Sequence, residues 1–173
     1  MPTSRRPALD LPDLDTITVD EVDDDVLVVT LDRPDRLNAI NTAMIGELDA
    51  VITAVDLDPR LRAVINNLSA EQKAEFATLH ERIHRSRKPW IAAVNGVAVG
   101  GGFAMTLACD IRLAATSARF GAVFLKIGVS NCDMGTSYFL PRMVGASRAA
   151  ELMLTARIFD ATEARDIGLV VDL

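Results

Sequence analysis

Cysteine is scarce in this chain of 173 residues: only Cys109 and Cys132 occur. Their spacing gives neither a disulfide scaffold nor a zinc knuckle, so a reducing, cytoplasmic setting is the expected one. Positive charge is in deficit. Eighteen Lys and Arg face 24 Asp and Glu, for a net charge of −6, which argues against a nucleic-acid surface. No apolar run reaches the roughly 20 residues of a membrane helix. The longest candidate, Trp90 to Ala98, is interrupted by Asn95 and Gly96. The opening residues hold no run resembling a signal peptide, and no repeat or low-complexity segment is visible.

Half of the residues are hydrophobic, enough for one domain's core. Residues 1–15 read as a flexible tail and 16–173 as the folded core. Thr16–Glu21 and Val26–Asp32 read as a hairpin across an acidic turn. Thr42 is placed to cap a helix with Met44, Ile45, Leu48, Val51, Ile52 and Val55 on one face. Leu61–Ile65 reads as a short buried strand, Glu71–Arg87 as an amphipathic helix, and Ile91–Val94 as a strand. A glycine turn follows, then a helix through Ala108 and a strand at Ile111–Ala115. Helices are expected over Met134–Met143, Ser147–Thr155 and Thr162–Gly168, with a last strand at Leu169–Asp172. Strands alternating with helices predict a layered α/β fold.

The segment that carries the most chemistry is Asn95-Gly96-Val97-Ala98-Val99-Gly100-Gly101-Gly102. Glycine costs roughly 0.5–1 kcal/mol against alanine inside a regular element. Three in a row expose bare N–H groups where a helix begins, and the macrodipole there favours negative charge. A carbonyl oxygen becoming an enolate fits such a turn; close helix–strand packing is the plainer use of the same glycines. Arg82, Arg85, Arg87 and Lys88 crowd before Pro89, either as a solvated helix end or as a phosphate contact. His80-Glu81-Arg82-Ile83-His84 is a literal HExxH, the parts of a zinc hydrolase. With only two histidines in the chain, surface histidines are the preferred reading. Cys132 reads as a small buried thiol.

Several motifs together resemble the crotonase superfamily, the enoyl-CoA hydratase/isomerase family. They are Arg33-Pro34 with Leu37-Asn38-Ala39-Ile40-Asn41, Lys88-Pro89-Trp90-Ile91-Ala92-Ala93-Val94-Asn95-Gly96, the triple glycine, Ala118-Arg119-Phe120-Gly121, and Leu154-Thr155-Ala156-Arg157 with Ala164 and Gly168-Leu169-Val170. The resemblance runs from about Thr16 to Leu173. It implies a ββα spiral core, an acyl-CoA substrate with coenzyme A as part of it, no prosthetic group or metal, and a homotrimer or hexamer. It assigns an oxyanion-hole N–H to Gly101 and coenzyme A contacts to the backbone around Leu37 and Ala39.

Three departures from the family stand out. The glycine-rich loop that supplies a second oxyanion donor, and the helix after it, are missing past Ile65-Asn66-Asn67-Leu68-Ser69. Either they are deleted or the sequence at hand omits a segment, and the second is preferred because deletion removes part of the site. The chain also stops at Leu173, before the C-terminal helices of the family. Finally, the two positions where hydratases keep glutamates hold Ala104 and Phe124, which move no protons. One acid remains, Asp133, at the aspartate position of dienoyl-CoA isomerases and related members. Apolar surroundings expected from Phe124, Val129 and Tyr138 suit a carboxyl that takes and returns a proton. The same residue is placed to cap a helix from Met134. The expected function is acyl-CoA chemistry through an enolate, under a hydratase or isomerase name. The alternatives are a catalytically reduced acyl-CoA-binding or assembly protein of the same fold, and Asp133 acting as a nucleophile on an aryl-CoA.

Overall fold

β1 (Ile17–Val22) and β2 (Val26–Leu31) form the expected antiparallel hairpin, with Ile17 opposite Leu31 and Val22 opposite Val26. Alternate residues turn inward, burying Ile17, Val19, Leu27, Val29 and Leu31, as the period of two demands. These strands belong to a computed structural model that describes residues 9–22, 25–36, 41–61, 63–70, 79–132 and 134–173. Of the stretch read as a tail, residues 9–15 fall within this range. Leu9, Leu11 and Leu14 lie partly buried against the core.

Helix α1 (Thr42–Leu57) buries Met44, Leu48, Val51, Ile52 and Val55. Its N-cap is Asn41 rather than Thr42: the Asn41 side chain accepts from Met44 N at 3.0 Å. Both residue types cap well, and the one whose backbone is extended takes the role. A carboxylate shares the apolar face. Glu47 Oε2 accepts from Thr16 N (3.0 Å), Thr16 Oγ1 (2.7 Å) and Ile17 N (3.2 Å), and Oε1 from Asp15 N (3.2 Å). The start of β1 is thereby fastened to α1.

β3 (Ala63–Ala70) is longer than the strand expected at Leu61–Ile65 and runs parallel to both β2 and β4 (Trp90–Val99). β4 does not stop at Asn95-Gly96. Its Ile91–Val94 half pairs with β5 (Ile111–Ala114), and its Val97–Val99 half pairs with β6 (Arg119–Gly121). Asn95 and Gly96 mark the change of partner, which is why a strand tolerates them there. β6 in turn pairs antiparallel with β7 (Phe159–Asp160). The sheet has seven strands among the described residues. The expected strand at Leu169–Asp172 is reduced to a single bridge between Leu113 and Asp172.

The remaining helices are α2 (Leu79–Arg85), α3 (Gly101–Ala108), α4 (Thr136–Val144), α5 (Ala146–Thr155) and α6 (Ala161–Asp166). Residues 71–78 of the helix expected over Glu71–Arg87 lie outside the described residues. Trp90, Phe103 and Phe120 are the largest fully buried side chains. The α/β class read from the sequence holds.

The α5–α6 corner is closed by Arg157. Its Nε meets Glu151 Oε1 at 2.5 Å and its Nη2 meets Glu163 Oε1 at 2.5 Å. The hydrogen bond from Arg157 pulls the Glu151 carboxyl from its usual 4.5 to about 2, and lowers Glu163 as well. A carboxyl depressed on folding stabilises above its unfolded value and loses that contribution as pH falls through the folded one. Stability should therefore decline as pH drops from about 4.5 towards 2. Glu151→Gln should flatten that decline while costing under about 1 kcal/mol at pH 7, because the pair is solvent-screened. Urea titrations at stepped pH measure both.

Candidate functional site

β4 delivers the chain to Gly100 at the carboxyl end of parallel strands, where ligands settle in open α/β sheets. Gly100 has φ 54 and ψ −120, a conformation open to glycine and closed to residues with a side chain. Its N–H donates to Gly121 O on β6 at 3.0 Å. Its carbonyl accepts the first helical bond, from Ala104 N at 2.9 Å. The N–H groups of Gly101, Gly102 and Phe103 precede that bond and have no partner inside α3. Gly100 is also the N-cap and offers no side chain to cover them. A serine or aspartate there would occupy these donors. Gly100 therefore opens the turn and Gly101 lines it, a division that the first glycine after an apolar strand signals.

Packing holds the turn in place. All eight residues of α3 are buried. Phe103 meets Phe120 at 6.4 Å and Phe159 at 6.1 Å between ring centroids, and Phe120 meets Phe159 at 5.8 Å. These rings clamp α3 onto β6 and β7. At the far end of the helix, Asp110 Oδ2 accepts from Trp90 N (2.9 Å), and Arg112 Nε donates to Leu169 O (2.8 Å). Burial pushes the Cys109 thiol up to about 12, leaving it inert at neutral pH.

One side of the turn is covered by apolar side chains. A Cβ placed on Gly100 would stand 3.8 Å from Phe124 Cε1 and 3.8 Å from Val123 Cγ2. Phe124 belongs to a 3₁₀ turn (Phe124–Ile127) and is buried, as is Ala104. Val129 and Tyr138 behave differently from expectation. Tyr138 is half exposed and packs on Phe139 and under the Arg142 guanidinium; Val129 is exposed as well. Only Phe124 of that trio is buried.

Asp133, Leu37 and Ala39 lie outside the described residues. The expected helix cap at Asp133 is replaced, because α4 begins at Thr136 with Gly135 as its N-cap. Gly135 has φ +76, and a Cβ on it would stand 2.7 Å from Phe139 Cε2 and 2.9 Å from His80 Cδ2. Gly135→Ala should cost about 2 kcal/mol from backbone strain and overpacking together, read as a lower urea midpoint.

His80 and His84 pack edge-on against Phe139, and His84 also against Tyr138. Glu81 is paired to Arg85 at 2.8 Å. No group of three metal-binding side chains comes together among the described residues, and the three HExxH side chains make ring contacts and an ion pair. Arg82 pairs with Asp49, and Lys88 Nζ donates to Leu61 O at 2.7 Å, so both cations have partners within the chain. Cys132 is exposed rather than buried: Ser130 Oγ accepts from its N–H and its carbonyl accepts from Ser137 Oγ, so it sits on a surface turn. Among the described residues no helix is long and apolar enough to cross a membrane.

The family model for enoyl-CoA hydratase/isomerase matches residues 66–173. A probable enoyl-CoA hydratase of Mycobacterium bovis is 37% identical, over 90% of this chain and 67% of its own length. A crotonyl-CoA hydratase of Syntrophomonas wolfei is 36% identical, over 87% and 66%. The crystal structure of a probable enoyl-CoA hydratase/isomerase from Mycobacterium abscessus superposes with a TM-score of 0.86 at 31% identity, over 91% of this chain and 69% of that one. The chain thus spans about two thirds of the relatives' length. The alignment to the M. bovis protein occupies 175 positions while drawing on 90% of this chain. That relative therefore carries internal residues with no counterpart here.

Proposed function

The chain belongs to the enoyl-CoA hydratase/isomerase family, the crotonase superfamily of acyl-CoA enzymes, and from that premise we propose that it binds an acyl-CoA thioester at the Gly100–Gly102 turn. The thioester oxygen accepts from Gly101 N–H, and the positive end of α3 stabilises the charge as an enolate forms. The observation that carries this reading is the start of α3, where a glycine N-cap supplies no side-chain cap for the first donors among the described residues. Asp133 is the proposed proton carrier, taking a proton from the carbon beside the thioester and returning it. The backbone around Leu37 and Ala39 is assigned to coenzyme A. Coenzyme A enters as part of the substrate, and the reading needs no prosthetic group. A homotrimer or hexamer, a cytoplasmic setting and a role in fatty acid metabolism complete it.

Ala104 and Phe124, both buried, favour a second reading: a protein that binds acyl-CoA without turning it over, acting in binding or assembly. The two separate in heavy water. An enolising enzyme places deuterium on C2 of butyryl-CoA, read by mass spectrometry. Asp133→Asn should slow that exchange by about 10²–10⁴-fold while calorimetric affinity is kept. Binding without exchange selects the second reading, and absence of binding removes both.

A further inference from the structure

Donors that stabilise an enolate oxygen also stabilise the tetrahedral oxyanion formed when water attacks the same thioester. A turn of this kind holds its ligand intact only if water is kept from the carbonyl carbon. Among the described residues, Phe124 and Val123 lie over the turn, each 3.8 Å from the Cβ position of Gly100. No polar side chain of α3 is free to hold a water beside the donors: Thr106 is its one hydroxyl, and it donates to Gly102 O at 2.9 Å. Buried water needs several polar partners.

The ring is also firmly placed. Its own carbonyl accepts from Val129 N (3.1 Å), Val123 O accepts from Lys126 N (3.0 Å), and Leu125 O accepts from Gly128 N (3.1 Å). Buried Asn131 accepts from Leu125 N at 3.3 Å and donates to Met153 O at 2.5 Å, tying this turn to α5. Ile127 and Leu125 of the same turn are exposed while Phe124 is buried, so the turn sends one chosen side chain inward.

Resting on the acyl-CoA reading above, we infer that Phe124 is a positioning residue that seals the glycine turn against water and so protects the bound thioester from hydrolysis. In the suppressed reaction, the water oxygen bonds to the carbonyl carbon and the C–S bond breaks. The proton from water then passes to the departing thiolate, giving free coenzyme A and a carboxylic acid.

The test compares the wild type with Phe124→Leu and Phe124→Ala, using butyryl-CoA as the probe. Free coenzyme A is quantified by chromatography, since the exposed Cys132 thiol would confuse a thiol dye. Labelled water reports oxygen entry into butyrate. The expected result is hydrolysis at background for the wild type, rising through Leu to at least tenfold in Ala, with one labelled oxygen per acid. A fold that is merely loosened loses affinity and gains no hydrolysis. Equal rates across the three proteins, with binding retained, overturn the inference, and so does fast hydrolysis by the wild type. If Phe124→Ala does not fold, Phe124→Leu decides by the same criterion. Failure of the wild type to bind butyryl-CoA removes the acyl-CoA reading instead.

Discussion

Gly101→Pro should lower turnover of an acyl-CoA substrate by about 10²–10³-fold, the usual consequence of losing one oxyanion donor. Proline at the first helical position deletes an N–H that the helix does not use, and its fixed φ suits the site. The first helical bond, Ala104 N to Gly100 O, does not involve the deleted group. α3 should therefore persist, which circular dichroism checks. Gly101→Ala retains the N–H and should keep most of the rate. Equal activity of the proline variant would show that this donor does not touch the reacting oxygen.

Glu47→Ala should cost about 3 kcal/mol. Each hydrogen bond to a charged acceptor contributes about 1.5–3 kcal/mol, and donors left unsatisfied in a buried place add a penalty. Three donors belong to Thr16 and Ile17 and one to Asp15. Thr16 and Ile17 are buried, so water reaches the vacated site poorly. In a chain of this length the loss lowers the melting temperature by roughly 2–4 °C per kcal/mol. Calorimetry and urea denaturation should agree. A change below about 1 kcal/mol would mean that water replaces the carboxylate, and that the burial of Glu47 is incidental.

Elements with a strong local pattern were legible in the sequence. The α1 stripe from Met44 to Val55 is buried as its spacing requires, and the hairpin has the expected partners. Elements set by distant partners were not legible. β6 and β7 are three and two residues long and exist because they pair with β4 and with each other. β4 runs through a glycine because a new neighbour begins there. The glycine turn was legible as a turn, because a glycine straight after an apolar strand suits the positive φ that Gly100 adopts before α3. Phe124, placed there by the family resemblance, is buried as expected, whereas Val129 and Tyr138 are exposed, since nothing local tells which side chains of this loop face inward. The surface place of Cys132 was equally hidden, since the turn around it has no hydrophobic period.

The bond from Gly100 N–H to Gly121 O has a consequence for synthesis. During translation, chains fold from the N-terminus forward as residues emerge. β6 is held on one side by β4 and on the other by β7 at Phe159 and Asp160, so the outer support of the glycine corner is added only when that late segment has left the ribosome. A nascent polypeptide halted before Phe159 would contain β1 to β6 yet leave the outer edge of β6 without its β7 partner.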